Sequence, residues 1–344
     1  MKDFADHDKE IAIIGAGGWG TALALLLSRK GYRIRLWVYE PELVDIIEKT
    51  RQNAYFLPGY TLPDTITPHH SIQNVLNNMD FIILVTPSQM VRNVLLQALP
   101  YIQPNAMIVS ASKGIENGTL LRISQVVDEI VSPHVPITYT VISGPTFAKG
   151  VAGGLPTTAV VAGENPDKTK IVQTVFNHSS FRVYVNSDVI GVELGGAIKN
   201  VIAIAAGIVA GLELGSNTRA ALITRGLWEI TRLGVALGAK PITFQGLSGM
   251  GDLVLTCDGT DSRNFQVGYR IGRGETLDDI QTSTRTIAEG VKTTLSVREL
   301  ANRHHVEMPI SEQVYQTLYH GKSPRQAVMD LMTRTLKSEH QIDI

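Results

Sequence analysis

The sequence has a single cysteine, Cys257, among its 344 residues. One cysteine excludes an intrachain disulfide, and we expect such a chain to work in the reducing cytoplasm. Positive charge is not in excess, because 31 Lys and Arg residues are balanced by 32 Asp and Glu residues, for a formal net charge of −1. The sequence also lacks the Lys and Arg clusters that follow a nucleic-acid backbone, so we expect no nucleic-acid partner.

Long uninterrupted apolar runs are also missing. The most apolar stretch, residues 191–214, is interrupted by Glu193, Lys199 and Glu213. Its uncharged part is too short to cross a bilayer, so it predicts a buried core helix and no membrane span. The first ten residues are polar and charged, unlike a signal peptide. The nine histidines show no metal-binding spacing such as H-E-x-x-H, and no metal is predicted.

A glycine-rich turn near the N-terminus is the clearest motif. Residues 11–14 are apolar, and Gly15, Gly17 and Gly20 follow at the spacing G-x-G-x-x-G, which is typical of a dinucleotide-binding turn between strand and helix. Gly15 would permit the tight turn, Gly17 the approach of a pyrophosphate to the helix N-terminus, and Gly20 close helix packing. Glu40 follows the next predicted strand, where an acid accepts hydrogen bonds from the adenosine ribose. The alternative is a glycine turn that serves packing alone.

The pattern of apolar residues predicts two domains. Apolar strands and amphipathic helices alternate up to residue 188, which indicates a doubly wound α/β sheet of the Rossmann type with a ligand crevice at its carboxyl edge. From residue 189 the helical period takes over and predicts an all-helical domain. We therefore expect residues 1–188 to bind the dinucleotide and residues 189–344 to bind substrate and carry catalysis. Within the first domain, residues 52–59 are interpreted as a loop and residues 119–130 as a helix.

Two lysines are candidates for chemistry. Lys199 lies among apolar and small residues of a predicted helix. Partial desolvation lowers the pKa of a lysine and suits it to proton exchange near neutral pH, whereas the alternative is a packed stem with its ammonium in water. Gly195 and Gly196 weaken the same helix, so we expect another segment to approach its backbone closely. Lys113 follows a predicted strand and either faces the ligand crevice or is a solvated loop lysine.

Two further polar segments follow in the helical half. Asp252 lies between a glycine-rich turn and an apolar run, where it is either a helix cap or a functional carboxylate. Ser262 is a candidate cap for the helix that follows it. Arg263 and Asn264 would lie in the first turn of that helix, where a guanidinium and exposed N–H groups suit a phosphate. An arginine is otherwise unfavourable at a helix start, which weighs against an ordinary surface residue.

Together these motifs resemble the bacterial NAD(P)-dependent glycerol-3-phosphate dehydrogenase family. The resemblance covers nearly the full length and rests on residues 15–24, 141–149, 195–203, 251–257 and 262–264. It implies a cytoplasmic oxidoreductase, in homodimeric form, that reversibly reduces dihydroxyacetone phosphate to sn-glycerol 3-phosphate with NAD(H) or NADP(H). It also implies a role in supplying the glycerol backbone of phospholipids.

The resemblance assigns roles to individual residues. Lys199 is implied to be the catalytic acid/base, with Lys113 and Asp252 assisting. The residues implied to contact the substrate are Lys113, Gly144, Thr146, Lys199, Asp252, Ser262, Arg263 and Asn264. Those implied to line the cofactor site, beside the motif glycines, are Gly18, Trp19, Tyr39, Lys113, Ala148, Arg263, Ile287 and Glu289.

Two positions depart from the family pattern. Many members carry Arg or His where this chain has Tyr39, a position suited to the 2′-phosphate of NADP, and here Glu40 follows. Because an acid favours a free ribose hydroxyl and repels a phosphate, we expect NADH to be used at least as well as NADPH. Gly18 stands where some relatives have serine, which removes one hydroxyl contact.

Two competing functions are considered. A hydroxyacid dehydrogenase acting on an unphosphorylated substrate would have the same fold, but a phosphate-binding turn at residues 262–264 would then have no task. A dinucleotide sensor without turnover would have no use for a buried Lys199.

Overall fold

The computed structural model describes residues 10–259, 261–284 and 288–339. The chain forms two compact units. The first comprises the described residues up to Lys113 together with Leu121–Glu193. The second comprises Gly114–Leu120 and the described residues from Leu194 onward. The sequence pattern held no sign that Gly114–Leu120 would belong with the helical part.

The strands of the described chain all lie in the first unit. They are β1 (Glu10–Ile14), β2 (Arg33–Trp37), β3 (Gln52–Asn53), β4 (Leu57–Thr61), β5 (Ile66–His69), β6 (Phe81–Leu84), β7 (Met107–Ser110), β8 (Thr138–Ser143), β9 (Thr157–Ala162) and β10 (Phe181–Asn186). Eight of them form one sheet in the order β10, β9, β8, β7, β6, β1, β2, β5. Neighbouring strands are parallel, apart from the antiparallel pair β8 and β9.

Helices cover this sheet and bury its apolar side chains. Those that lie wholly in the first unit are α1 (Gly18–Arg29), α2 (Pro41–Thr50), α3 (Ile72–Leu76), α4 (Val91–Ala98), α5 (Ile123–Ile130), α6 (Ala148–Ala152) and α7 (Pro166–Phe176). Side chains alternate along a strand, so β1 sends Ile11 and Ile13 into one hydrophobic core and Ala12 and Ile14 into another. The predicted sheet, buried by helices on both faces, is thereby confirmed.

Two local predictions were wrong. Residues 52–59, interpreted as a loop, contain β3 and the start of β4, which pair as a short antiparallel hairpin. The helix predicted over residues 119–130 begins only at Ile123. Leu120 has a φ of 63°, a left-handed conformation that a right-handed helix does not contain. The apolar spacing therefore continues through a segment whose backbone is not helical.

From Leu194 onward, the regular secondary structure of the described residues is helical, as the sequence predicts. Its longest helix, α8 (Val189–Gly211), starts in the first unit. The helices that follow are α9 (Gly215–Ala236), α10 (Pro241–Phe244), α11 (Asp252–Asp258), α12 (Arg263–Gly272), α13 (Leu277–Ser283), α14 (Glu289–Arg303), α15 (Pro309–His320) and α16 (Pro324–Met332).

Helices α8 and α12 cross with their backbones in contact. A Cβ atom on Gly207 of α8 would lie 2.0 Å from the carbonyl oxygen of Phe265. One on Gly268 of α12 would lie 1.9 Å from the carbonyl oxygen of Ile204. Neither separation is possible for a real side chain, so both helices need glycine at the crossing. The crossing fixes the start of α12 relative to the part of α8 that carries Lys199.

By length and composition, α8 is the one helix among the described residues that could cross a membrane. However, 94% of its most apolar window is buried inside the protein. A helix that is apolar on all sides is expected in the core of a large protein as well as in a membrane. Here the apolar surface is covered by protein, which agrees with the core helix predicted from the sequence.

Candidate active site

The glycine-rich turn joins β1 to α1 with the geometry that an anion site needs. Gly15 has a φ of 122°, which only glycine adopts readily. A Cβ on Gly20 would lie 1.9 Å from the carbonyl oxygen of Gly15, so α1 packs directly on the turn. At Gly17, by contrast, no atom lies within 4 Å of a Cβ position. Gly17 is also the N-cap of α1 and makes no side-chain cap, which suits a ligand at this end of the helix.

Gly18 and Trp19 form the first turn of α1, beside this open position. The Trp19 ring is half-buried and packs against the core beneath the sheet. Its indole Nε1 is a buried donor with no hydrogen-bond partner in the described chain. The backbone N–H groups of Gly18 and Trp19 lie in the first turn of α1, at the end of a helix that favours an anion.

The carboxyl end of β2 carries the two residues expected at the adenosine ribose. Tyr39 is 63% exposed and stands edge-to-face on Trp37, with ring centroids 6.0 Å apart. Glu40 is the N-cap of α2, but its side chain makes no capping hydrogen bond. Its carboxylate is therefore not committed to the helix.

Residues from the ends of β7 and β8 meet in the first unit. The Lys113 ammonium donates to the carbonyl oxygen of Gly144 over 3.4 Å. The Thr146 hydroxyl donates to the same oxygen over 3.2 Å. Ala148 begins α6 shortly after them and is half-buried. The structure thus brings Lys113, Gly144 and Thr146 together, although Lys113 lies about 30 residues before the other two.

In the second unit, Lys199 forms a buried ion pair with Asp252. Lys199 is 5% exposed and Asp252 is 1% exposed. The Lys199 Nζ lies 2.5 Å from Asp252 Oδ1, so the ammonium does not reach outward to water. Two charges buried this deeply are stable only when paired and hydrogen-bonded. The Asp252 carboxylate pairs with Lys199 and does not cap a helix, and Gly251 is the N-cap of α11.

Thr256 completes this arrangement and was not singled out from the sequence. Its hydroxyl donates to the Asp252 backbone carbonyl over 2.6 Å and accepts from Lys199 Nζ over 2.6 Å. Asp252 and Thr256 are four residues apart on α11, so they lie on one face of the helix. That spacing is the signal that would have identified Thr256. The Lys199 ammonium is therefore held by the Asp252 carboxylate and the Thr256 hydroxyl, both on α11.

The neighbouring thiol takes no part in this chemistry. Cys257 is buried, and desolvation raises the pKa of its thiol to about 12, although the Lys199 charge acts in the opposite direction. A thiol with this pKa stays protonated at neutral pH and is a poor nucleophile.

The predicted phosphate-binding turn lies at the start of α12. Ser262 is its N-cap, and its hydroxyl oxygen accepts the backbone N–H of Phe265 over 3.2 Å, as predicted for a cap. Arg263 opens the helix and keeps an exposed surface. Desolvation by nearby protein lowers the pKa of its guanidinium, and the Glu289 carboxylate at the start of α14 acts in the opposite direction. Arginine stays charged under such shifts and remains able to bind an anion.

Asn264 links three helices. Its amide nitrogen donates to Asn200 Oδ1 over 2.9 Å, and its oxygen accepts the backbone N–H of Gly290 over 2.8 Å. Asn200 directly follows Lys199 on α8. A Cβ on Gly195 would lie 2.6 Å from the carbonyl oxygen of Ser248, which is the close approach expected from the glycine pair in this helix. Sequence reasoning missed the bond between Asn200 and Asn264.

One expected cofactor residue, Ile287, lies outside the described residues. Among the described residues, no group of three or more His, Cys, Asp or Glu side chains is arranged to hold a metal ion.

Comparisons with known proteins cover both units. The model of the NAD-dependent glycerol-3-phosphate dehydrogenase N-terminus matches residues 10–169, and that of the C-terminus matches residues 188–329. A glycerol-3-phosphate dehydrogenase [NAD(P)+] of Geobacter sulfurreducens is 53% identical over 331 residues, which are 96% of this chain and 99% of that protein.

Solved structures agree with this assignment. The crystal structure of a glycerol-3-phosphate dehydrogenase from Coxiella burnetii is 41% identical, with a TM-score of 0.92 over 96% of this chain and 100% of that one. The enzyme of the same name from Saccharomyces cerevisiae is 28% identical, with a TM-score of 0.80 over 95% and 99% of the two chains. The chain therefore belongs to the NAD-dependent glycerol-3-phosphate dehydrogenase family.

Proposed function

We propose that the protein reversibly reduces dihydroxyacetone phosphate to sn-glycerol 3-phosphate, with NADH or NADPH as the reductant. The observation that carries the proposal is the buried Lys199 ammonium, which Asp252 and Thr256 hold over 2.5 Å and 2.6 Å in the same unit as the Ser262–Arg263–Asn264 turn. The first group can exchange a proton with an oxygen, and the second can bind a phosphate. The names of the close relatives support the same reaction.

The residues of the first unit fit the dinucleotide. Gly17 leaves room for a pyrophosphate, and α1 offers backbone N–H groups there. When bound, the reduced nicotinamide supplies the hydride. Lys113, bonded to the Gly144 carbonyl beside Thr146, is assigned to orienting the substrate and offsetting its charge.

Lys199 is assigned the proton transfer. Reduction of a carbonyl builds negative charge on its oxygen, and an ammonium N–H directed at that oxygen stabilises the charge and then gives up its proton. Lys199 becomes a neutral amine in this step and regains its proton from water. In the oxidative direction the neutral amine takes the proton of the substrate hydroxyl. Asp252 and Thr256 hold the nitrogen in place in both directions.

Ser262, Arg263 and Asn264 are assigned to the substrate phosphate. The Arg263 guanidinium supplies a charged fork, and the start of α12 supplies backbone N–H groups. The Ser262 cap uses only the hydroxyl oxygen as acceptor, so its hydrogen can be donated to a phosphate oxygen. Asn264 contributes chiefly by holding this turn against α8 and α14, because Asn200 and Gly290 engage its amide.

The finer features of the proposal concern cofactor choice and assembly. NADH is expected to serve at least as well as NADPH, since the exposed Tyr39 and the Glu40 carboxylate replace a basic residue at the ribose. A homodimer is proposed, with the half-buried apolar residues Ile223 and Leu227 of α9 as candidates for the interface. A cytoplasmic location is proposed, because the single cysteine suits a reducing compartment. The proposed biological role is to supply glycerol 3-phosphate for phospholipid synthesis.

The deciding experiment follows the loss of reduced-nicotinamide absorbance with dihydroxyacetone phosphate, using NADH and NADPH in parallel. Lys199→Met keeps the length of the side chain, and loss of about 10² to 10⁴-fold in kcat is expected if a general acid has been removed. The variant must still bind NADH, measured by fluorescence without substrate. Folded wild-type protein that oxidises neither cofactor would overturn the reaction. Oxidation of NADH or NADPH by an unphosphorylated ketoacid, but not by dihydroxyacetone phosphate, would favour the competing dehydrogenase, and cofactor binding without any turnover would favour a sensor.

A further inference from the structure

A buried asparagine contacts the glycine-rich turn from the interior of the protein. Asn53, at the end of β3, is fully buried. Its amide nitrogen donates to the Ala16 carbonyl oxygen over 2.7 Å and to the Thr21 hydroxyl over 2.8 Å. Its amide oxygen accepts the backbone N–H of Phe56 over 3.1 Å. Both hydrogens and the oxygen of the amide are therefore used, and they join the hairpin to the turn.

Thr21 adds a second bond at the same place. Its hydroxyl donates to the Ala16 carbonyl oxygen over 3.3 Å while it accepts from Asn53. Ala16 lies between Gly15 and Gly17, and its carbonyl oxygen consequently receives two donors from inside the protein. A backbone carbonyl held by two buried donors has little freedom to rotate.

The direction of that carbonyl determines the direction of the next N–H. The described chain contains no cis peptide bond, so the Ala16–Gly17 peptide unit is trans and planar. In such a unit the C=O and the N–H point to opposite sides. Because the Ala16 oxygen points inward at Asn53, the Gly17 N–H points outward. A Cβ on Gly17 would have no atom within 4 Å, so there is open space beside the Cα of the same residue.

We propose that Asn53 is a positioning residue for the cofactor pyrophosphate, because it orients the Ala16–Gly17 peptide so that the Gly17 N–H faces the ligand. The inference rests on the proposed dinucleotide function of this turn. A purely structural role would be to join the hairpin to the turn, and its loss would lower thermal stability without a selective effect on dinucleotide affinity. Measuring the thermal midpoint beside the affinity for the dinucleotide therefore distinguishes the two roles.

Asn53→Asp separates them. The substitution keeps an oxygen to accept from Phe56, but it replaces the amide donor with an oxygen that faces the Ala16 carbonyl and repels it. Asn165→Asp controls for the added negative charge, because Asn165 is an exposed residue of the same unit that caps α7 through its side-chain oxygen. Both variants add one negative charge. Thr21→Val is a milder second variant that removes the other donor to Ala16.

The readouts are the Kd of NADH and of ADP-ribose, measured without substrate, and KM against kcat in the assay. Asn53→Asp is expected to weaken both ligands about tenfold or more, and Thr21→Val about threefold, as the loss of one or more hydrogen bonds implies. The kcat at saturating NADH and the KM of dihydroxyacetone phosphate should stay near wild type, and Asn165→Asp should leave all values unchanged.

Several outcomes would overturn the proposal. One is an Asn53→Asp protein that keeps the thermal midpoint of the control and binds ADP-ribose like wild type. Another is a fall in kcat together with a rise in the KM of both NADH and dihydroxyacetone phosphate. Should Asn53→Asp not fold, Thr21→Val with unchanged affinity is equally decisive. Wild-type protein that binds no NADH would refute the dinucleotide site itself. Wild-type protein that binds NADH but does not turn over would refute only the proposed reaction.

Discussion

Lys199 and Asp252 form an ion pair in which both side chains are nearly excluded from solvent, with 2.5 Å between nitrogen and oxygen. The partners are 53 residues apart in the chain and belong to α8 and α11.

The first prediction concerns this pair. Asp252→Asn keeps the size of the side chain but removes the negative charge that stabilises the ammonium. We expect kcat to fall by on the order of 10²-fold, because the proton donor loses its counter-charge and its orientation. The affinity for NADH should not change. Thr256→Val, which removes one hydroxyl contact, should lower kcat by about threefold to tenfold. An Asp252→Asn enzyme with wild-type kcat would refute the assigned role.

The second prediction concerns another buried carboxylate, that of Glu229. Glu229 of α9 accepts the backbone N–H groups of Ile310 and Ser311 over 2.6 Å and 3.1 Å, at the start of α15. Burial raises the pKa of its carboxyl group to about 7, although these donors and the charge of Arg232 oppose the shift. Since the folded pKa lies above the unfolded value of about 4.5, folding binds a proton between these pH values.

The stabilising contribution of Glu229 is thus fully present below pH about 4.5 and is lost as the pH rises through about 7. The free energy of unfolding should be compared at pH 5 and pH 8 for wild type and Glu229→Gln. The difference between the two proteins should change by roughly 2 to 3 kcal/mol between these pH values, with wild type losing stability as the pH rises. Glu299→Gln, at an exposed pair with Arg303, is the control. A difference that is the same at both pH values contradicts the prediction.

A third prediction concerns cofactor choice. Tyr39→Arg places a cation at an exposed position that we propose lies beside the ribose, where it can meet a 2′-phosphate. We expect kcat/KM for NADPH to rise by about tenfold, with little change for NADH, because one charged hydrogen bond is gained. Glu40→Gln should act in the same direction by removing a repulsion. Wild-type protein that already prefers NADPH strongly would overturn the interpretation of this site.

The fourth prediction concerns the crossing of α8 and α12. Gly207→Ala places a methyl group 2.0 Å from the Phe265 carbonyl oxygen, so the helices must separate. We expect a loss of about 1 to 3 kcal/mol in stability from overpacking. The KM of dihydroxyacetone phosphate should rise as the start of α12 moves. Gly150→Ala is the control, because its nearest neighbour would be 3.9 Å away. Equal effects of Gly207→Ala and Gly150→Ala on the KM of dihydroxyacetone phosphate would refute the idea that the crossing of α8 and α12 positions the start of α12 for substrate.

Local signals predicted most of the fold. The glycine spacing after β1 and the switch from alternating to helical periodicity identified the sheet, the first helix and the helical second half. The hairpin of β3 and β4 was missed, because β3 has only two residues and a Pro-Gly pair in β4 is typical of a turn. Gly114–Leu120 was missed because membership of a unit depends on packing, which leaves no mark on the local pattern.

The site was predictable in part. Lys199 was singled out because it lies among apolar and small residues, and Asp252 because it lies between a glycine-rich turn and an apolar run. Their contact joins segments that are 53 residues apart in the chain. Asn53 was not identified, because a polar residue in a presumed loop is ordinary. Its partners Ala16 and Thr21 are 37 and 32 residues away. Only the three-dimensional structure reveals that this asparagine is fully buried beneath the turn.

The glycines where α8 meets α12 have a consequence for substrate length. Side chains can adjust to a ligand by changing rotamer, but two backbones in contact cannot move closer together. The separation between the backbone of α8, which carries Lys199, and the first turn of α12 is therefore set by contact between the two main chains. Under the proposed function, we expect this fixed separation to favour phosphate esters with one distance between the reacting oxygen and the phosphorus over longer and shorter homologues.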